Sequence, residues 1–439
     1  MNDKLLHYIW LSCTFSPGSK TPKLLFEHFG TIEEIFAASK EQYEAISLSK
    51  PDVTSLCNKN LDKAKRYYEF CEKNKIGLLC FEDSYYPERL KIINNPPPLF
   101  YYKGRLNLLD DYPCIAMVGT RSCSERGFRL AYSIGYDAAS KGTVVVNGLA
   151  LGIDGACIAG ALDANGYAVG ILGCGIDRVY PEGNRDLFER LSATGLILTE
   201  FAPFTRPEGR NFPVRNRVIS GLSIASAIFE ADESSGALIT AKHALEQGRR
   251  IFAVPGKPYD KTYSGPLELI KDGATVFTEA DDILAEYSMS FPHRINLANI
   301  NEVPKDKLDA YVARYFKKDV DPDAPVNRRF NKKSDNSPSA PPERKSVFVP
   351  KDNNYQTPVT ETVEVTADVP AVNSHAKVAD LSILTELERK IYDHIKSKSM
   401  TPDEIAEKGI KIEDILSTIT LLEIYGLITA VPGGKYSAV

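Results

Sequence analysis

Cys114-Ile-Ala-Met-Val-Gly-Thr-Arg-Ser-Cys-Ser-Glu-Arg-Gly-Phe-Arg-Leu-Ala131 is the stretch on which the fold turns. Its first five residues are apolar without alternation, the pattern of a strand covered on both faces. Gly119-Thr120-Arg121-Ser122 then turns the chain, and a helix reads from Glu125. A buried strand that passes through a glycine turn into a helix opens a βαβ unit.

Working outward, the same texture repeats. Strands are predicted at 114–118, 143–146, 168–172, 196–199, 224–230 and 250–254, with helix-length segments at 125–140, 153–165 and 237–247. Right-handed crossovers between such strands give a mostly parallel sheet with helices on both faces. Residues 77–81 read as a further buried strand, followed by Tyr86-Pro87 and the turn-rich Asn94-Asn-Pro-Pro-Pro98. Before them, Leu24, Leu25 and Phe26, then Ile32, Ile35 and Phe36, then Tyr43 and Ile46 recur at helical spacing, which predicts a small helical bundle.

Beyond about residue 290 the composition shifts to Pro, Asn, Ser, Lys and Asp, as expected of a disordered linker. Basic residues gather in its first part (Arg314, Lys317, Lys318, Arg328, Arg329, Lys332, Lys333, Arg344, Lys345 and Lys351), a stretch that would add loose, non-specific contacts to any polyanion bound by the folded domain. At the far end, Thr401-Pro-Asp-Glu404 is a capping box with Pro at the first helical position. Gly409 ends that helix, and Ile412, Ile415, Ile419 and Leu422 make an apolar stripe on the next. Residues 425–429, Pro432-Gly-Gly434 and Lys435-Tyr436 read as a hairpin, which completes a winged helix. The expected architecture is α/β: a Rossmann-like, mostly parallel, doubly wound sheet with a small N-terminal helical domain and a C-terminal winged helix. Its predicted domains are 1–75 (helical), 76–286 (Rossmann-like), 287–380 (linker) and 381–439 (winged helix).

Composition narrows the function. The 439 residues are 43% hydrophobic and 25% charged, with net charge −5 at pH 7, so the chain as a whole has no general attraction for nucleic acid. A DNA site must be a local patch. The eight cysteines include no C-x-x-C pair, which argues for reduced thiols and against a disulfide framework or zinc. No apolar run reaches the ~18 residues of a membrane span, and no leader is read at 1–15, so a cytoplasmic location is expected.

Three segments carry candidate chemistry. In Gly119-Thr120-Arg121-Ser122 the glycine lets backbone approach a phosphate, the helix behind it offers N–H groups, and Arg121 adds a bidentate clamp. Asn211-Phe212-Pro213-Val214-Arg215-Asn216-Arg217 sets an aromatic ring, on which a base can stack, beside two arginines that neutralise phosphates. Ser234-Ser235-Gly236-Ala237 precedes a helix with Thr240 and Lys242, a second strand-to-helix turn able to cradle an anion. Ligands of open α/β sheets collect at the carboxyl ends of the strands, so all three should open on one rim. No G-x-G-x-x-G follows the first strand, no metal-ligand spacing is present and no nucleophile elbow is found. Asp154 in Gly152-Ile-Asp-Gly155 reads as a helix cap. No catalytic residue, cofactor or metal is therefore expected.

As a set, these motifs resemble the DNA processing protein A (DprA, also Smf) family. The similarity runs over about residues 80–285: Tyr86-Pro-Glu-Arg-Leu, Pro96-Pro-Pro-Leu-Phe-Tyr-Tyr-Lys-Gly104, Met117-Val-Gly-Thr-Arg121, Asn147-Gly-Leu-Ala-Leu-Gly-Ile-Asp154, Leu172-Gly-Cys-Gly-Ile-Asp-Arg-Val-Tyr-Pro181, Asn211-Phe-Pro-Val-Arg-Asn-Arg-Val-Ile-Ser-Gly221, Ser235-Gly-Ala-Leu-Ile-Thr240 and Phe252-Ala-Val-Pro-Gly256. The resemblance implies a homodimeric, non-enzymatic protein that binds single-stranded DNA, shields it, and helps load RecA recombinase during natural transformation. It further implies that Arg121 holds phosphate, that Gly119, Thr120 and Ser122 supply backbone contacts, and that Phe212 stacks on a base. Arg215, Asn216, Arg217, Ser235, Gly236 and Thr240 would complete the pocket. Leu151, Asn147, Leu267 and Glu182 depart from the family pattern; Glu182 stands where some relatives carry a DNA-binding lysine.

Two other functions fit parts of the sequence. A nucleoside monophosphate phosphoribohydrolase shares a Rossmann-like fold, yet Ser234–Thr240 lacks that group's glycine pattern and glutamate. A DNA-reading regulator would use the winged helix, whose polar positions Lys411, Glu413, Asp414, Ser417 and Thr418 are a mixed to acidic set, unsuited to phosphates.

Overall fold

Nine strands form one sheet in the order β1-β2-β6-β5-β4-β3-β7-β8-β9: β1 Gly77–Cys80, β2 Leu99–Gly104, β3 Cys114–Val118, β4 Val144–Asn147, β5 Ala168–Ile171, β6 Leu196–Thr199, β7 Ala225–Ile228, β8 Arg250–Ala253 and β9 Thr275–Val276. The computed structural model describes residues 2–316 and, between 386 and 438, the greater part of a second unit. From β6 to β9 all neighbours are parallel, whereas β1 and β2 pair antiparallel at one edge. Strands β3 to β7 are buried at every position, which is why their sequence is almost wholly apolar, with Asn147, Thr199 and Ser226 the buried polar exceptions.

Leu99–Gly104 was not read as a strand, because it follows three prolines and carries no alternation; it extends the sheet by pairing antiparallel with β6. β9 is only two residues long and escapes any periodicity test.

The chain runs outward in both directions from β3, to β4 on one side and β7 on the other. This reversal makes the topological switch point, where strand ends diverge and leave a crevice. The covering helices are α7 Glu88–Lys91, α8 Glu125–Ser140, α9 Ile153–Asp163, α10 Arg185–Thr194, α11 Asn211–Leu222, α12 Gly236–Glu246, α13 Ser264–Lys271 and α14 Asp281–Leu284, after six in the N-terminal segment: α1 Asp3–Thr14, α2 Thr21–Phe29, α3 Ile32–Ala37, α4 Lys40–Glu44, α5 Lys50–Cys57 and α6 Asp62–Lys73. α8 and α9 touch backbone to backbone: a Cβ on Gly160 would lie 2.1 Å from the Tyr132 carbonyl oxygen. That contact holds α9 flat under the crevice.

The N-terminal helices share a continuous hydrophobic core with one face of the sheet. Tyr8 donates to Glu82 at 2.6 Å and Asn95 to the Gly18 carbonyl at 2.9 Å, so bundle and sheet are tied by polar contacts as well. The sequence division at residue 75 thus falls within one packed body.

The stretch assigned to linker from 287 begins folded. Helix α15, Lys305–Phe316, lies against α8, with Leu308 and Val312 buried. Leu308, Tyr311, Val312 and Tyr315 follow i, i+3, i+4, i+7 spacing, a helical stripe that the surrounding Pro- and Asn-rich composition hides. Arg314, counted with the loose basic residues, is held by Asp186 at 2.9 Å. The remaining basic residues, 317–351, lie outside the described residues.

The second unit is a winged helix with its own core of Ile391, Ile395, Ile405, Ile415, Ile419, Leu422 and Ile428. Helices α16 Glu386–Ser397 and α17 Pro402–Ala406 precede the hairpin of β10 Ile428–Val431 and β11 Lys435–Ala438. The capping box is present: Thr401 and Glu404 exchange backbone-to-side-chain bonds at 2.8 and 3.2 Å. Thr418 is buried among the core residues, so it is no part of a polar reading surface. Lys411, Gly409, Ile412, Glu413, Asp414 and Ser417 lie outside the described residues. Among the described residues no helix is long and apolar enough to cross a membrane. All eight cysteines are unpaired, and Cys57 is exposed.

Candidate nucleic-acid interface

A cavity of about 300 Å³ opens at the switch point between the ends of β3 and β7. Gly119, Thr120, Arg121, Phe212, Arg215, Asn216, Ser235, Gly236 and Thr240 all line it, so the three sequence segments do meet on one rim. Ser122 faces a neighbouring cavity instead, and Lys242 is exposed on α12, away from the pocket.

The turn after β3 is fixed from below. Thr120 N–H donates to the Glu230 carbonyl at 2.6 Å, and the turn rests on the start of α9. There Gly152 adopts φ +77, and a Cβ would lie 2.4 Å from the Thr120 oxygen and 2.7 Å from that of Arg121. Glycine is needed at this position for both reasons. Ser124 caps α8 by accepting from Gly127 N–H at 3.0 Å, and its own N–H donates to the buried Glu230 carboxylate at 2.7 Å. The loop bearing Arg121 is therefore rigid while the guanidinium itself is exposed.

Phe212 stands next to it. The Arg121 guanidinium carbon is 5.1 Å from the ring centroid and that of Arg215 is 5.8 Å. Tyr180 stacks on the same ring at 5.5 Å and 25°. Sequence reasoning gave Tyr180 no role, although it lies in the Val-Tyr-Pro181 motif. Arg215 is 5% exposed and donates to the carbonyls of Gly148 (3.0 Å) and Ile171. Burial pushes its pKa down to about 10, with the Asp154 charge opposing, so it remains a cation at neutrality.

Asp154 was read as a helix cap. Its carboxylate in fact reaches back to accept Gly148 N–H at 3.0 Å and lines the cavity beneath Arg215. Burial raises its pKa, opposed by Arg215, the Gly148 and Gly119 amides and Arg121. It orders the floor and moderates the positive charge. Asn216 ties α11 to α12 by donating to the Gly236 carbonyl at 3.1 Å. Beside Gly236 there is open space: a Cβ would have no neighbour within 4 Å, so the cavity is unobstructed on that side.

Arg217, expected in the pocket, does not line it. It is 3% exposed, points away from the cavity, and forms a bidentate pair with Glu200 at 2.9 and 2.7 Å. α11 advances about 100° per residue, so side chains two apart diverge by roughly 200° and Arg215 and Arg217 cannot share a face. No secondary structure is assigned to 211–217 from sequence; the structure makes it a helix from Asn211, with Pro213 in its first turn.

Glu182 is exposed on the same rim and pairs with Arg185 at 2.6 Å, which cancels a nearby cation. Glu182→Lys is expected to free Arg185, add a cation, and tighten oligo-dT binding several-fold. The slope of log K against log salt should steepen by up to ~0.7 per added phosphate contact. Anisotropy titrations at three salt concentrations would show it; an unchanged slope places the strand away from this edge.

An open, mostly parallel sheet with a cationic, aromatic-lined cavity at its switch point, on a chain that also carries a winged helix, defines a Rossmann-like protein. Residues 77–288 match the model of the DNA recombination-mediator protein A family, and residues 375–434 that of the DprA winged helix domain. The chain belongs to this DprA/Smf family. The DNA processing protein DprA of Bacillus subtilis is 39% identical over 211 residues, which are 48% of this chain and 71% of that protein. DprA of Streptococcus pneumoniae is 38% identical over 227 residues, 52% and 79% of the two chains. Protein Smf of Synechocystis is 41% identical over 229 residues; the match spans 52% of this chain and 57% of that one. The X-ray structure of DNA processing protein A from S. pneumoniae superposes with a TM-score of 0.56 at 30% identity, covering 65% of this chain and 98% of that one.

Proposed function

We propose that the cavity binds single-stranded DNA, with one backbone phosphate at Arg121 and a neighbouring base on Phe212. The observation that carries this is the 5.1 Å separation of Arg121 from Phe212 at an unobstructed mouth. A phosphate clamp beside an aromatic face suits a nucleotide whose base is free to stack. In a duplex those faces are already covered by neighbouring bases, whereas an unstacked strand offers them without regard to sequence. Gly119, Thr120, Ser235, Gly236 and Thr240 supply small polar contacts around the phosphate, and Arg215 and Asp154 set the floor.

On this reading the protein binds and does not turn over its ligand. As a cytoplasmic homodimer it shields the strand and passes it to the RecA recombinase, in the DNA-processing role that names its relatives. Phe212→Ala tests the stacking half: oligo-dT affinity should fall about tenfold, since a base–aromatic stack is worth ~1–3 kcal/mol. Weak duplex binding should be unaffected. Equal losses on both DNA forms would contradict the reading.

A further inference from the structure

Arg121 stands between two cavities. The second, about 350 Å³, lies on the far side of the Arg121 loop and is walled by helix α15. Tyr315 stacks on Phe128 at 5.0 Å and 30°, and its hydroxyl donates to the Arg121 carbonyl. Phe316 sits edge-on to Tyr315 at 4.9 Å and is 37% exposed. Arg314, on the same rim, is committed to Asp186 at 2.9 Å and to the Gly183 carbonyl at 3.1 Å. Helix α15 lies beyond the matched family span of residues 77–288 and walls this side of the Arg121 loop.

We propose that this second cavity is a nucleobase subsite: it takes a further base of the strand whose phosphate is held at Arg121, with Phe316 as the stacking surface. Tyr315 is a positioning residue that fixes the Arg121 loop from behind. The inference rests on the single-strand reading above and deepens it.

The chemistry of the walls selects the occupant. An exposed ring at a helix end, beside an arginine and the Ser122 hydroxyl, matches a flat ligand with apolar faces and polar edges. The volume is within the range of small-molecule pockets and fits one base. Continuity through Arg121 places that base on the same strand as the first. Arg314 is already paired, so among the described residues lining the second cavity Arg121 is the cation left to attract phosphate. The backbone therefore stays at Arg121 while bases go to either side, to Phe212 and to Phe316.

The test uses 2-aminopurine, whose fluorescence falls on stacking against an aromatic ring, placed at successive positions of an oligo-dT strand and titrated with the full chain. On the shortest oligo-dT that still binds, so that the register is fixed, two positions flanking one phosphate should be quenched. Phe316→Ala should abolish one of them, keep the other, and weaken binding about tenfold. Tyr315→Phe should keep both quenched positions and lower affinity two- to threefold, with no further effect once Arg121 is alanine, as a double-mutant cycle requires for a residue acting through it. If Phe316→Ala keeps wild-type affinity and both quenched positions while Phe212→Ala loses one, α15 is packing only; the subsite is then wrong and the single-strand reading stands. If the wild-type chain quenches no position and binds no strand, both fall.

Discussion

Arg121→Ala is expected to weaken oligo-dT binding by about 10- to 100-fold while leaving the unfolding free energy within ~0.5 kcal/mol of wild type. Both halves follow from its placement. The guanidinium is exposed, lies over Phe212, and among the described residues has no carboxylate partner at ion-pair distance, so folding does not depend on it. Its backbone is held by Gly152 and Tyr315, so the loop keeps its shape without the side chain. Losing one phosphate contact should also flatten the salt slope by ~0.7. Anisotropy titration at several salt concentrations, with a urea melt of the same preparation, separates binding from stability. A large fall in melting midpoint would show that Arg121 is structural.

Arg217→Ala is expected to do the reverse: a loss of about 3–5 kcal/mol in stability, with strand affinity per folded molecule unchanged. Removing the guanidinium strands the Glu200 carboxylate, itself buried, without its partner. The pair lies where the N-terminal helices meet the sheet, in a narrow cleft with Leu11, Phe15 and Pro98. Replacing both partners together, Arg217→Met with Glu200→Leu, should recover most of the loss, because an apolar pair of similar volume leaves no uncompensated charge. Urea midpoints measure the first effect, and anisotropy on the folded protein the second. Lost strand affinity at wild-type stability would return Arg217 to the DNA site.

These two arginines show where sequence reading works and where it stops. The parallel sheet was legible from Cys114–Val118 outward because strands covered on both faces must be continuously apolar. That Gly119–Arg121, Phe212 and Ser235–Thr240 line one cavity was legible because strand-to-helix turns at carboxyl ends open on one rim. The direction of Arg217 was not, since that needs 211–217 to be a helix, and Pro213 in the first turn hides the helical signal. Asp154 was seen but given the wrong partner: its carboxylate satisfies a backbone amide six residues back, a contact set by the Gly148–Gly152 turn and invisible to helix-cap rules. α15 carried a clean helical stripe, yet its surroundings had the composition of a linker. In each case the missing information was a side-chain direction or a tertiary partner.

Selection of single-stranded DNA by one rim of the sheet, through Arg121 and Phe212, is the proposal on which the rest depends. Its most direct test is a side-by-side anisotropy titration of labelled oligo-dT and matched duplex with wild type and Arg121→Ala at moderate salt. Tight single-strand binding, much weaker duplex binding, and a selective loss of the single-strand signal in the variant are expected. Single-strand binding that survives Arg121→Ala undiminished, or equal affinity for both DNA forms, would contradict it.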